Sequence, residues 1–394
     1  MSDTLSAEQE SFIDTKASYE FWTFTAATFL TFLTATQALF LSSILQSRGI
    51  SPLGIGAVAG SYGIGVIVTS LGIQSLIRTI GLIQAARLGI ALTGMGYGSL
   101  ALTLDHELGM MLSRFIQGAG FGVFLTPAIA YARSRLGPGR FLQLLGVYTG
   151  SIPLPQALGP AYAEWQYKVL PGPGLFLVGL VPIVAALILT LPLRSIQASG
   201  QPAKKIGIID TLRVPSVIWP LAAITIVGIL FGFETAFTAP VLTNKSIPVF
   251  YFFSTVSAAM FASQLFVLRY IKDYSEKTVI ALSFALLSFS FAIVHFGDAP
   301  AVMLLAGAAF GLGYSVVFPV LNAAVTRPFP PDERTGPLAV FNLFYNSGMI
   351  VTPYLVGATV QKSQYGSILL GMAVIAGVAA LAAFLFKGFG EAKR

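Results

Sequence analysis

Apolar residues run through this chain in twelve stretches of roughly membrane-spanning length, separated by short polar or Gly/Pro-rich breaks. They lie near 22–45, 53–73, 87–104, 108–132, 141–163, 174–193, 215–242, 247–268, 278–296, 300–326, 337–360 and 366–386. About twenty apolar residues in helical form cross a hydrocarbon core some 30 Å thick. The pattern therefore predicts an all-α membrane protein with twelve transmembrane helices. Composition agrees: 55% of the 394 residues are hydrophobic and 10% charged, with mean hydropathy +0.79. A soluble globule of this size carries about a quarter charged residues to cover its surface.

Charge changes the picture only by setting direction. With the N-terminus taken as cytoplasmic, that side collects 18 of the Lys and Arg residues, among them Arg78, Arg87, Arg133, Arg135, Arg194, Arg213, Arg327 and Arg334. The opposite side holds four: Arg48, Lys168, Lys245 and Lys362. This is the positive-inside bias, so the net charge of +7 reads as topology and no nucleic-acid partner is needed. Residues 1–21 are polar, lack the positive start and short apolar run of a secretory signal, and read as a cytoplasmic tail. Residues 387–394 read as a second such tail. There is no cysteine, and the two histidines, His106 and His295, lie far apart. No metal site or cofactor is expected from such a set.

Inside the spans a few polar residues stand out. Arg114 lies in the run Leu112-Ser113-Arg114-Phe115-Ile116-Gln117-Gly118. An arginine at membrane depth costs at least ~2.5 kcal/mol on insertion scales and is usually functional. Gly118, four residues on, shares its helix face and leaves room beside the guanidinium, while Gln117 can satisfy part of its donor set. In the first span Thr25, Thr28, Thr31, Thr34 and Gln37 recur every three residues, a stripe that drifts around a 3.6-residue helix. Thr34 and Gln37 are the better candidates for a cavity lining; hydroxyl bonds back to the previous turn account equally well for the other three. Gly54, Gly56, Gly60, Gly63 and Gly65 in the second span allow close helix packing.

Pro153, Pro155 and Pro160 remove three backbone donors from the fifth span and predict a bending point. Glu234, in Phe231-Gly232-Phe233-Glu234-Thr235, is the other charge inside a span. Burial disfavours its ionised form, which suits a proton carrier; a substrate-ammonium contact, a place facing the outer water or a permanent pair with Arg114 are the alternatives. In the eleventh span Asn342, Tyr345 and Asn346 share one face, as a cavity wall or for interhelical bonds. Tyr148 and Tyr314 are similar candidates.

Several of these residues carry a resemblance. Arg114-x-x-Gln117-Gly118-x-Gly120 resembles the fourth-helix motif of the major facilitator superfamily, and Gly146, Gly150 and Gly159-Pro160 resemble the fifth-helix signature of its proton-coupled antiporters. Ala161, Tyr162, Ala163 and Glu164 replace the glycines that signature carries next. The loop Gly72-Ile73-Gln74-Ser75-Leu76-Ile77-Arg78-Thr79-Ile80-Gly81 is similar to the family's cytoplasmic-gate motif through Gly72, Arg78 and Gly81, with Leu76 where the family has an acid. An internal repeat fits the same picture. Gly120-Phe121-Gly122 with Pro127 and Gly159-Pro160 is echoed by Gly313-Tyr314-Ser315 with Pro319 and Thr352-Pro353, Gly120 and Pro160 each recurring 193 residues later as Gly313 and Pro353.

The expected organisation is two six-helix bundles, 22–193 and 215–386, related by a pseudo-two-fold axis along the membrane normal and joined by a polar, basic cytoplasmic linker, 194–214. Gly118, Gly150, Pro153, Pro155, Gly159, Pro160 and Pro353 are the expected conformational hinges.

The resemblance implies a secondary active transporter in the plasma membrane, the inner membrane of a bacterium, with both termini cytoplasmic. The protein is expected to act as a monomer amid lipid, with a small lipophilic or amphipathic organic substrate and protons as partners. Proton-coupled export by alternating access leads, with Glu234 and Arg114 as coupling residues. Substrate contacts are expected from Thr34, Gln37, Gln117, Tyr148, Glu234, Tyr314, Asn342, Tyr345 and Asn346. An importer or facilitator for a small organic metabolite, anionic ones included, is the alternative; a non-transporting receptor or an intramembrane enzyme is a further one, against which stands the lack of a base–nucleophile or carboxylate pair within the spans.

Overall fold

The computed structural model describes residues 2–135, 144, 148, 152, 154–194, 207–267, 270, 274–330, 333–359 and 365–385. Gly146, Gly150, Pro153, residues 195–206 of the expected linker and the expected tail 387–394 lie outside the described residues. Among those described there is no strand.

In the first half the helices are α1 (Ser2–Gln37), α2 (Leu41–Ser47), α3 (Pro52–Ile80), α4 (Leu82–Thr103), α5 (Glu107–Ser134), α6 (Leu154–Val169), α7 (Gly174–Val178) and α8 (Val181–Thr190). The second half has α9 (Ile208–Leu212), α10 (Pro215–Phe233), α11 (Ala239–Asn244), α12 (Phe250–Ala262), α13 (Glu276–Phe296), α14 (Pro300–Thr326), α15 (Thr335–Thr359) and α16 (Tyr365–Leu385). Two π-helical turns, Glu234–Thr238 between α10 and α11 and Ser263–Val267 after α12, interrupt the second half.

Among the described residues, seven helical segments are individually long and apolar enough to cross a membrane: Ala17–Ser47, Pro52–Ser70, Glu107–Ser134, Pro215–Asn244, Glu276–Phe296, Pro300–Thr326 and Tyr365–Leu385. Shorter apolar helices, Gly174–Thr190 and Phe250–Ala262, occupy the sixth and eighth predicted positions.

Three boundaries differ from the expectation. Helix α1 starts at Ser2, inside what reads as a polar tail. The sixth span is broken after Val178, where Gly179 and Leu180 separate α7 from α8. Most of the stretch read as a loop, Gly72–Ile80, is the end of α3, because nothing in Gln74-Ser75-Leu76-Ile77-Arg78-Thr79-Ile80 breaks a helix. The break is Gly81 alone, whose φ of 82° ends α3. Between Gly72–Ile80 and Leu82–Thr103 the chain turns through 119°.

Helices of the first half pack chiefly on one another, as do those from α10 onward; between the halves α3 packs on α15 and α6 on α12. Small residues set these distances. A Cβ on Gly118 of α5 would sit 1.9 Å from the Tyr62 carbonyl oxygen on α3, and one on Gly56 would sit 2.0 Å from the Pro353 carbonyl oxygen on α15. Both neighbours are backbone and cannot rotate away. The first contact lies within a half and the second across the seam, so their disruption has different outcomes. Gly118→Val is expected to destabilise the protein outright, by about 1–3 kcal/mol for forced overpacking, read as a lower melting temperature in detergent. An unchanged melting temperature would contradict the α3–α5 contact.

Candidate functional site

The halves enclose a cavity of about 1550 Å³. Its wall combines Phe32, Tyr62, Arg114 and Phe121 from the first half with Phe231, Glu234, Tyr314, Phe318, Asn342, Tyr345 and Asn346 from the second. One end is closed by polar contacts across the seam. Thr243 Oγ1 donates to Ser43 Oγ at 3.1 Å, Gln46 donates to Asn244, and the Val249 N–H donates to Glu164 Oε2 at 3.2 Å. Further in, the Ser61 and Tyr354 hydroxyls lie 3.4 Å apart.

Toward the opposite end, the cavity wall reaches Gln74, Arg78, Ile208 and Gly336. There Arg135 pairs with Glu20 at 2.7 Å and Arg327 with Glu276, each pair within one half. The cavity is thus sealed at one end and extends to the basic end.

Arg114 stands about 10 Å along α5 from its start at the sealed end, at 1.5 Å rise per residue. Its guanidinium lies over the Tyr62 ring, 4.6 Å from the centroid, and one arm donates to the Gln117 side-chain oxygen. Its Nε and the Gln117 Nε2 are buried without a partner. Glu234 opens the π-helical turn that precedes Pro240. Proline has no N–H for the carbonyl four residues back and its ring crowds that carbonyl, so the ladder there cannot continue in α form; single π turns are frequent at functional sites.

Glu234 is 3% exposed and takes part in none of the hydrogen bonds among the described residues. The ion pairs among them include neither Glu234 nor Arg114, so the two charges share the cavity without pairing. Beside Glu234 the wall is aromatic: Phe231 stacks on Tyr314 at 4.8 Å, the Tyr314 and Tyr345 hydroxyls are 2.8 Å apart, and Phe318 meets Tyr345 edge-on at 5.3 Å.

The other expected contacts fall elsewhere. Thr34 and Gln37 do not line the cavity: Gln37 Nε2 and Thr34 Oγ1 both donate to the Gly179 carbonyl, and Tyr97 donates to Gln37 Oε1 at 3.1 Å. The break at Gly179 leaves a carbonyl to be satisfied, and these side chains satisfy it. Gln117 is buried beside Arg114, behind the wall. Tyr148 sits in the first-half core, 3.4 Å from the Thr28 hydroxyl. Thr25 and Thr31 bond back to Phe21 and Ala27.

Of the expected hinges, Gly118 is packed on Tyr62. Pro155 accepts a hydrogen bond from Thr36 on its carbonyl at 2.7 Å, and Gly159 packs against the same threonine. Pro160 and Pro353 lie inside α6 and α15. Of the expected gate, Arg78 stands at the cavity's basic end, Gly81 makes the sharp turn, and Gly72 has no close neighbour.

Sequence reasoning missed Tyr62, Phe231, Gln156 and Gln264 in the wall. The two glutamines are amides inside apolar spans and were findable on that ground. Tyr62 was not, since nothing in its distance along the chain ties it to Arg114. No group of three His, Cys, Asp or Glu side chains suited to a metal occurs among the described residues.

The Major Facilitator Superfamily model matches residues 23–250 and 246–393. An uncharacterised MFS-type transporter of Salmonella typhimurium is 25% identical over 281 residues, 68% of this chain and 70% of that protein. Among solved structures, the nucleoside transporter NupG superposes with a TM-score of 0.75 at 16% identity, covering 93% of this chain and 100% of NupG. A peptide transporter POT bound to alafosfalin gives 0.75 at 13% identity, covering 92% and 93%. A bacterial homologue of the human lysosomal transporter Spinster, inward-facing and unoccupied, gives 0.71 at 14%, covering 94% and 96%. At such identities the likeness is one of fold.

Proposed function

Because the chain belongs to the major facilitator superfamily, and is therefore an integral membrane transporter rather than an enzyme, we propose that it exports a small amphipathic organic molecule in exchange for protons. The observation that carries this reading is Glu234: a buried carboxylate on the wall of a cavity shared by both halves, with no cation paired to it. An intramembrane acid of this kind is a functional site by default, and a proton is the smallest counter-charge that can come and go. The first half of the chain contributes Arg114 to the same wall, held by Gln117 and Tyr62 and not paired with Glu234.

The basic end is the cytoplasmic one by the positive-inside rule, which puts both termini there and makes the arrangement inward-facing, sealed outside by the Ser43–Thr243 and Gln46–Asn244 contacts. Export then proceeds as one half rocks against the other around a fixed site: the substrate enters from the cytoplasm, the outer seal opens, and the returning carrier brings a proton on Glu234. The protein acts as a monomer, with lipid around its twelve spans.

The test is reconstitution in sealed liposomes with a pH dye inside and an imposed pH gradient, challenged with a panel of lipophilic cations, organic acids, nucleosides and short peptides. Export by antiport is expected to show as compound-induced proton movement and as accumulation that an uncoupler abolishes. Flux that ignores the gradient would replace this reading with a facilitator.

A further inference from the structure

The charges on the cavity wall are few and opposed. Among the described residues lining it, three carry charge: Arg78 at the basic mouth, and Arg114 and Glu234 deeper in. The deep pair come from different halves, one positive and one negative, each at least nine-tenths buried and neither in an ion pair. A charge taken out of water without a partner is costly, so each is incomplete alone. A purely cationic guest would satisfy Glu234 and leave Arg114 facing it with the same sign. A purely anionic guest would do the reverse.

From this arrangement we propose that the cavity takes a zwitterion: a molecule with one anionic group, held at Arg114, and one ammonium group, held at Glu234, on an apolar or aromatic frame. The frame follows from the wall between the charges. Phe231, Tyr314, Tyr345 and Phe318 flank Glu234, while Tyr62 and Phe121 stand beside Arg114, with ring centroids 6.0 Å apart. Aromatic faces receive a flat ring by stacking and an ammonium by cation–π contact. Gln117, behind the wall, holds the same guanidinium in place through its side-chain oxygen. Such a guest touches both halves at once, which ties its binding to their relative motion. The proposal rests on the transport reading and names its substrate class.

The test uses the full-length protein in nanodiscs and three zwitterions of increasing charge separation: 4-(aminomethyl)benzoate, 4-(2-aminoethyl)benzoate and 4-(3-aminopropyl)benzoate. Each is paired with its methyl ester, which keeps only the cation, and its N-acetyl derivative, which keeps only the anion. At least one zwitterion is expected to bind about tenfold more tightly than both of its derivatives, the worth of one good charge contact. Glu234→Gln is expected to erase the advantage over the N-acetyl derivative, and Arg114→Gln the advantage over the ester. Arg114→Lys, which keeps the charge, guards against a folding artefact by retaining the preference.

Equal binding of the ester would make this a simple cation site, equal binding of the N-acetyl derivative a simple anion site, and no binding by any member at millimolar concentration would equally overturn the proposal. Proton movement in liposomes separates the two readings: a preserved zwitterion preference without gradient coupling sinks only export by antiport, and gradient-driven flux without the preference sinks only the substrate class.

Discussion

Glu234→Gln is expected to abolish accumulation driven by a pH gradient while downhill exchange of the same compound, measured at saturating concentration, stays within several-fold of the native rate. Glutamine keeps the size and the helix tolerance of glutamate, so the π-helical turn at Glu234–Thr238 and the neighbouring aromatic wall stay in place. What is lost is the ability to take up and release a proton. A transporter that still rocks but no longer exchanges protons equilibrates its substrate instead of concentrating it, which is a change from many-fold accumulation to none. The measurement is paired: uptake with and without the gradient, on the same preparation. If the variant still concentrates its substrate, the proton travels on another group and Glu234 is a binding residue only. If exchange is lost even at saturating concentration, the carboxylate is needed for the rocking step and not only for the proton.

The second large effect concerns the sealed end. The chain has no cysteine, so the double variant Ser43→Cys with Thr243→Cys introduces a single possible disulfide. The native hydroxyl oxygens are 3.1 Å apart, and a small rotation of both side chains brings two sulfurs to the ~2.05 Å of a bond. Oxidation is expected to stop transport completely and reduction to restore it, with each single variant unaffected by oxidant. The seal joins α2 to the end of α11 across the seam, and alternating access requires that it open once in every cycle. Undiminished turnover of the fully cross-linked protein would mean that this end does not gate the path.

Much of this architecture was legible before any coordinates. The spans could be read because hydrocarbon demands about twenty apolar residues at a time and charged residues punctuate them. Arg114 and Glu234 stood out for the converse reason, as charges where the solvent tolerates few, and both line the cavity. Helical periodicity, by contrast, says which residues share a face and not what that face meets. Thr34 and Gln37 were set toward a cavity on that ground, yet the carbonyl freed at Gly179 claims both. Tyr62 escaped notice because its partner Arg114 is on another helix, and a cation–π contact leaves no spacing to read. The stretch Gly72–Ile80 reads as a loop through its likeness to a loop motif, but its residues are helix-compatible and the backbone turns only at Gly81, where φ is positive.

The π-helical turn at Glu234 also fixes a phase. An α-helix advances 100° per residue, and a π turn is a helix that accommodates one residue more in the same stretch of axis. The wide turn absorbs the extra residue, so the two ends of this span keep their facing: Glu234 on one side of it lines the cavity, and Thr243 on the other meets Ser43. Deleting one residue between Glu234 and Pro240 would let the stretch close as plain α-helix with its ends nearly in phase, so a chain one residue shorter could keep both its charge in the cavity and its seal, while one residue more would swing the two apart by about 100°.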